Sequence, residues 1–490
     1  SLSLRPEDLW LLELYFKDFR HAGAHLSTEQ RREVMEINEE LSKLETQFSK
    51  RVLDDSNDLA IVVDSIEELD GLAPNQIAAC KAAATDRGLP DKWVITMVNF
   101  TGHPLLASLN NRALRERVMK ASLSKGLRAN ANDTRDIAKK MAALRARRSA
   151  IFGKRNHAEY VTERQTAKNP KNVHEMLRRI APAALKNAKS EGAEIQAMIN
   201  ESGNKFGLES WDWDYYTEKV RSAKYDLDTT LLKPYFELEK VLHDGVFFAA
   251  GKLFGLTFKE RKDLIAYHPD ARVFEVKNED GSKLGLYIAD FFARPSKRGG
   301  AWMNSLVNQS HLLGKKPVVV NNLNIPKPAT GEVALLTLSE TTTLFHEFGH
   351  ALHGLLSDVK YPRTSGTSVQ RDFVEFPSQV NEMWILWPEV VANYARHYET
   401  GSPLPQEWID RIRATETFNE GHATTSYLSA AILDLAWHEL DSNAKVEDVE
   451  ALKEKSGLVA PPTTDIGKID LMSKQMLQKI EDLIPSEAKL

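Results

Sequence analysis

The sequence predicts a mainly α-helical protein with a small β-sheet in its second half. Apolar residues recur three and four positions apart over several long stretches, which is the spacing of a helix with one buried face. Strand-like runs are few and short, and they do not alternate regularly with the helical stretches, which argues against a doubly wound parallel sheet. We therefore expect a mostly helical body in which the strands form one small sheet.

Individual elements follow from the same periodicities. A Ser-x-x-Gln capping box at Ser27 precedes the first long helical pattern. The helical patterns cover 28–52, 134–152, 172–200, 236–254, 339–357, 377–398 and 405–417. The strand-like runs cover 59–64, 93–98, 272–277, 284–289 and 317–321. Near residue 255 the sequence changes from helical patterns to a mixture of helical and strand patterns. We therefore predict one subdomain over 1–255, a second over 256–461 and an atypical amphipathic tail over 462–490.

Composition excludes several classes of protein. The 490 residues contain 64 Lys and Arg against 69 Asp and Glu, a formal charge of -5, so there is no basic excess typical of nucleic-acid binders. No run of about 18 apolar residues predicts a membrane span, and the N-terminus lacks a secretory pattern. We expect a cytoplasmic protein and a monomer. Because Cys80 is the one cysteine, any metal must be bound by His, Asp or Glu.

One segment carries the chemistry, the H-E-x-x-H motif at 346–350. On a helix, His346 and His350 lie one turn apart on one face and can aim both imidazoles at one metal ion. Glu347 is positioned to hold a water beside that metal as a general base. Ser339 and Thr341 are predicted N-caps of this helix. The alternative is a buried helix whose histidines hydrogen-bond within the core.

Two histidines leave a catalytic zinc one protein ligand short. A third His six residues after the motif is excluded, since Leu356 occupies that position. Acids at Asp372, Glu375 and Glu382 would share one face of a following helix. Glu375 is therefore the predicted third ligand. Asp372 and Glu382 are candidates to orient the imidazole N–H groups, with ordinary surface acids as the alternative.

Two features flank this predicted centre. His353 lies on the same helix face as His346 and His350 but too far along the axis to bind the same ion, so it either supports the site or packs in the core. Residues 331–336 read as a strand whose edge could pair with a peptide main chain. The alternative is a strand that is fully paired within its own sheet.

These residues resemble a known family. The segments LFHEFGHALHGL and SGTSVQRDFVEFPSQVNEMW look like the thimet oligopeptidase family of zinc metallopeptidases, in particular its bacterial peptidyl-dipeptidase (dipeptidyl carboxypeptidase) branch. The likeness extends over most of the chain, including ARPSKRGGAWM and IPKPATGEVALLTLSE. It implies a helical zincin body of the gluzincin type, with a deep substrate channel and the zinc on its floor.

The resemblance also assigns roles. Residues matching His346, His350 and Glu375 bind one zinc ion in the family, and the residue matching Glu347 is the general base. The resemblance makes 1–255 a channel wall and 256–461 the zinc-binding catalytic subdomain. The implied activity is hydrolysis of short peptides.

The sequence also departs from the family. The family's long N-terminal helical region and its C-terminal glycine-rich loop with tyrosines have no match in this text. We therefore expect a piece of a longer protein or a chain with an altered end, which binds zinc but hydrolyses peptides more slowly than a complete member.

The leading functional prediction is release of C-terminal dipeptides from oligopeptides, for which Arg363 or Arg371 could bind the free carboxylate. Endo-acting oligopeptidase activity and a non-catalytic, zinc-containing peptide-binding scaffold are the alternatives.

Overall fold

The computed structural model describes residues 4–72, 74–97, 103–225, 229–294, 297, 300–325, 327–328 and 332–443. The predicted tail at 462–490 lies outside these residues. The fold is mainly α, with a small mixed sheet, as predicted. Within the described part of the chain, no helix is both long enough and apolar enough to cross a membrane.

The helices are α1 (Pro6–His21), α2 (Thr28–Asp58), α3 (Pro74–Asp86), α4 (Arg112–Leu123), α5 (Arg135–Ile151), α6 (His157–Thr162), α7 (Pro170–Glu201), α8 (Ser210–Tyr225), α9 (Leu238–Lys240), α10 (Phe248–Phe254), α11 (Leu338–Leu355), α12 (Glu375–Glu382), α13 (Pro388–Tyr394), α14 (Gln406–Thr415) and α15 (Glu420–His438). A π-helical segment, Val241–Phe247, joins α9 to α10. The strands are β1 (Ile61–Val63), β2 (Trp93–Ile95), β3 (Thr257–Glu260), β4 (Arg272–Lys277), β5 (Lys283–Phe292), β6 (Trp302–Val307) and β7 (Val318–Ile325).

Contacts divide the chain into two compact units, 1–20 with 227–414 and 21–226 with 415–490. The predicted subdomain bounds, 1–255 and 256–461, stay a prediction. The predicted roles of a channel wall and a catalytic subdomain stay predictions.

The described part of the unit formed by 21–226 and 415–490 is predominantly helical. Its capping box at Ser27 is confirmed, since the Ser27 hydroxyl accepts from the Gln30 N–H at 3.2 Å. A two-stranded antiparallel sheet of β1 and β2 packs in an apolar cluster with residues of α4. Asp212 on α8 is fully buried and forms salt bridges with Arg112 at 2.7 Å and with Arg115 at 2.9 Å.

The unit formed by 1–20 and 227–414 contains a five-stranded sheet in the order β3-β4-β5-β7-β6. Strands β5 and β7 are parallel, and the other neighbours are antiparallel. β3 and β6 were missed by the sequence analysis because both are partly exposed and neither contains a continuous apolar run. The helix α11 packs on one face of this sheet, where a β-carbon at Gly354 would lie 2.9 Å from Cγ1 of Val319.

One stretch that was predicted as a single helix forms two helices in the structure. The pattern over 377–398 divides into α12 and α13, with turns between them at 383–386. Pro388 explains the break, because proline suits the first position of a helix and disfavours helical geometry in the residue before it.

Candidate metal centre

The helix that carries the H-E-x-x-H motif begins at a capping box. The Thr337 hydroxyl accepts from the Glu340 N–H at 3.1 Å, and the Glu340 carboxylate accepts from the Thr337 N–H at 2.7 Å. The predicted caps, Ser339 and Thr341, are therefore wrong, since both lie inside the first turns of α11. The Thr-x-x-Glu spacing was present in the sequence and is the signal that would have found the true cap.

Both histidines of the motif point at one carboxylate. Oε2 of Glu375 lies 3.2 Å from Nε2 of His346 and 3.1 Å from Nε2 of His350. The ligand atoms of these three residues all lie within 4.8 Å of one another. Among the described residues this is the group of His, Cys, Asp and Glu side chains that could hold a metal ion. The structure thus brings together the three residues predicted as ligands.

The close approach of α12 to α11 depends on Gly349. A β-carbon at this position would lie 2.6 Å from Cα of Ser378 and 2.9 Å from Cβ of Asn381. Only a glycine lets the two backbones meet at this distance. The Asn381 side-chain amide then donates to the Phe345 carbonyl at 2.6 Å, so a side chain of α12 is bonded directly to the motif helix. Together these contacts place Glu375 opposite the histidines.

A second carboxylate holds one of the imidazoles. Oε1 of Glu382 lies 2.6 Å from Nδ1 of His346. A proton on Nδ1 bonded to this carboxylate leaves the Nε2 lone pair free to bind a metal on the Glu375 side. Glu382 is one of the two residues predicted to orient a histidine. Asp372, the other, lies in the turn before α12 rather than on the helix face predicted for it.

Glu347 lies on the inner side of α11 and is 5% exposed. Burial raises the pKa of its carboxyl group to about 7, an effect that His346 opposes and the charge of Glu375 reinforces. Its Oε2 atom is buried and has no hydrogen-bond partner in the structure. A carboxyl group with a pKa near neutrality can both accept and release a proton, which is what a general base requires.

His353 lies one helical turn beyond His350 and outside the three-residue group. Its Nδ1 atom is buried without a hydrogen-bond partner, and burial lowers the pKa of the imidazole. It lines a cavity of about 540 Å³ whose walls are largely apolar, including Phe254 and Trp384. The structure therefore places His353 beside an apolar cavity and outside the group of three candidate ligands.

The predicted edge strand at 331–336 is not part of the five-stranded sheet. Its first residue lies outside the described residues, and Leu335 makes an isolated antiparallel bridge with Glu237. The sheet edge that adjoins α11 is β6 instead, since a β-carbon at Gly354 would lie 2.6 Å from Cε of Met303. Pairing of a peptide main chain with residues 331–336 stays a prediction.

The two arginines considered for a peptide carboxylate differ in their surroundings. Arg363 forms an ion pair with Asp18 at 3.2 Å. Arg371 is exposed in the turn that precedes α12. Neither observation assigns a carboxylate-binding role.

The donor set fits a divalent transition metal. Two imidazole nitrogens and one carboxylate oxygen are the ligands of His₂Glu zinc centres, and the unpartnered carboxylate of Glu347 is adjacent. Fold and site together define a mainly helical protein in which an H-E-x-x-H helix and the following helix contribute three side chains that could hold a metal ion.

Comparison with known proteins places the chain in a family. Residues 105–466 match the model of Peptidase family M3, and the chain belongs to this family. The chain is 43% identical over 450 residues to dipeptidyl carboxypeptidase of Escherichia coli K12, covering 92% of this chain and 66% of that relative. It is 34% identical over 455 residues to oligopeptidase A of the same organism, covering 91% and 66%. The chain thus spans about two thirds of the length of these relatives.

Proposed function

We propose that this chain is the catalytic body of a zinc-dependent peptidase that releases dipeptides from the C-termini of short peptides. The observation that carries the proposal is the convergence of His346, His350 and Glu375 on one point beside the buried carboxylate of Glu347. Bound zinc would supply Lewis acidity, which makes a water molecule more acidic and a peptide carbonyl more electrophilic.

The chain's own residues account for the remaining chemistry. Glu382 holds the imidazole of His346 in the tautomer whose Nε2 can bind the metal. Glu347 accepts the proton of the attacking water and delivers it to the leaving amine. Burial of this carboxylate supports the second transfer, since a group with a pKa near 7 gives the proton back readily at neutral pH.

The choice of dipeptide release over internal cleavage rests on the relatives. A protein named dipeptidyl carboxypeptidase is 43% identical to this chain, whereas one named oligopeptidase A is 34% identical. The C-terminal carboxylate of a substrate needs a cationic partner. We propose Arg371 for this role in preference to Arg363, because Arg363 already forms an ion pair with Asp18. Cytoplasmic location, a monomeric state and the absence of nucleic-acid partners stay predictions.

The test combines metal analysis with product analysis. Purified protein is assayed for zinc and then incubated with one peptide in free-acid and C-terminally amidated forms. Loss of a dipeptide from the free acid alone supports the proposal, and internal cleavage of both peptides supports oligopeptidase activity. One equivalent of zinc without turnover of either peptide would indicate the non-catalytic scaffold.

A further inference from the structure

Three buried oxygen atoms beneath α11 have no hydrogen-bond partner in the structure. They are the hydroxyl of Tyr287, Oδ1 of Asn321 and Oε2 of Glu347. Tyr287 and Asn321 are fully buried, and Glu347 nearly so. Buried polar atoms are almost always paired with protein or with internal water, so three unpaired oxygens in one region need an explanation.

Strand register brings these residues together. Tyr287 on β5 pairs with Val319 on the parallel strand β7, so Asn321 lies two residues further along the neighbouring strand on the same face. The side-chain amide of Asn321 donates to the Glu347 carbonyl at 2.7 Å. The ring of Tyr287 contacts the ring of Phe348, with centroids 5.2 Å apart. Both strand residues therefore contact the motif helix at Glu347 or the residue beside it.

An electrostatic observation agrees with this placement. Burial raises the pKa of the Tyr287 hydroxyl, and the carboxylate of Glu347 raises it further. The phenol thus lies within the field of the proposed base. Because a tyrosine ionises only at high pH, its hydroxyl is a fixed hydrogen-bond donor under all ordinary assay conditions.

The three atoms are complementary in number and kind. Tyr287 offers one donor, and Asn321 and Glu347 each offer one acceptor. A single water accepts one hydrogen bond and donates two, which satisfies all three and matches the usual three bonds of an internal water. We propose that the Tyr287 hydroxyl, through one internal water shared with Asn321, fixes the inner oxygen of Glu347 and so positions this carboxylate for proton transfer.

This inference rests on the proposed function of Glu347 and makes Tyr287 a positioning residue rather than a catalytic one. With its inner oxygen held, the carboxylate presents its other oxygen outward in a single orientation. Loss of the hydroxyl would leave the base free to rotate, which lowers the rate of the chemical step without altering substrate binding.

The test is Tyr287→Phe, which removes the hydroxyl and preserves the ring. We expect kcat to fall about tenfold, as for the loss of one hydrogen bond in the network that holds Glu347, with KM changed less than twofold. Tyr394→Phe is the matched control. Tyr394 is also fully buried, but its hydroxyl donates to the Ile385 carbonyl at 3.1 Å, so this variant should lose stability and keep its kcat. An unchanged kcat in Tyr287→Phe would overturn the proposal. A higher stability of the same variant would strengthen that conclusion, because removing a buried hydroxyl that has no hydrogen-bond partner stabilises a protein.

A crystal structure at about 1.5 Å resolution separates this inference from the proposed function. A water within hydrogen-bonding distance of all three oxygens supports the positioning role even if no peptide is hydrolysed. A direct bond from Tyr287 to Asn321 alone, with no water at Glu347, overturns it even if the enzyme is active.

Discussion

Two buried carboxylates beside the same sheet have opposite chemistry. Asp290 at the end of β5 is fully buried, and Glu347 on α11 is 5% exposed. Burial alone would raise the pKa of both. For Asp290, hydrogen bonds from Arg294, Tyr267 and Lys297 outweigh burial and lower the pKa to about 2. For Glu347, burial prevails and the pKa rises to about 7.

Hydrogen-bond partners, more than the extent of burial, therefore decide the pKa of a buried carboxyl group. Arg294 and Lys297 bond both oxygens of Asp290 at 2.8 to 3.0 Å, and this closed network anchors the chain after β5. Glu347 is left with an unpaired inner oxygen beside the three side chains that could hold a metal ion. A permanently charged, fully bonded group is suited to structure, whereas a group that changes charge near neutral pH is suited to proton transfer.

The largest expected effect is on catalysis by Glu347. Glu347→Gln keeps the shape and size of the side chain but cannot accept a proton, so hydrolysis should fall about 10²- to 10⁴-fold while zinc is retained. Metal content and kcat are measured on the same preparation. A variant with bound zinc and a kcat close to that of the wild type would show that another group is the base.

Glu375→Ala should lose most of the bound zinc, because only two imidazoles would remain in the ligand set. The measurement is metal content after dialysis against a weak chelator. Glu389→Ala is the control, since Glu389 is an exposed acid paired with Lys252 and should not affect metal binding. Full zinc retention in Glu375→Ala would remove this residue from the ligand set.

Asp290→Asn should act on stability instead of on metal binding. It leaves Arg294 and the buried Lys297 without their shared counter-charge, and breaking a buried ion pair costs about 3–5 kcal/mol. Urea unfolding measures the loss, and Asp263→Asn, which breaks an exposed pair with Arg261, serves as the control with little expected change. Equal stability of the two variants would contradict the anchoring role.

Glu382→Gln should weaken zinc binding by about 10- to 100-fold, the usual effect of losing a carboxylate that orients a ligating histidine. Asp372→Ala, outside α12, should have a smaller effect. Competition with a chromophoric chelator gives both affinities. If the two variants are indistinguishable, the bond between Glu382 and His346 does not tune the metal.

The smallest expected effect is a dependence of stability on pH through Asp290. Because the pKa of Asp290 is lowered from 3.8 to about 2 on folding, its contribution to stability is complete above pH 4 and is lost as the pH falls through this window. The stability difference between wild type and Asp290→Asn should therefore narrow by about 1 kcal/mol between pH 5 and pH 3. A constant difference would mean that the lowered pKa of Asp290 is not a property of the folded state.

Sequence patterns predicted many of the long helices and the grouping of His346, His350 and Glu375, whose candidate ligand atoms lie within 4.8 Å of one another, because each depends on local spacing. His346 and His350 fall on one face through helix geometry alone, and Glu375 follows in the next helix. Partners from distant strands could not be predicted. Asn321 lies in a strand sequence of valines and asparagines that does not mark it as a functional residue. Its hydrogen bond to the Glu347 carbonyl depends on how the sheet packs against α11. Asp372 was misplaced because it was assumed to share a helix with Glu375 and Glu382, whereas α12 begins at Glu375.

The contact at Gly349 has a consequence for sequence change. In an isolated helix, alanine at this position would be more stable than glycine by about 1 kcal/mol. In the folded chain the added carbon would lie 2.6 Å from the backbone of Ser378 and push α12 outward, carrying Glu375 with it. A residue that contributes no ligand therefore sets the spacing of the ligands, and a substitution that improves the helix would be expected to damage the metal centre.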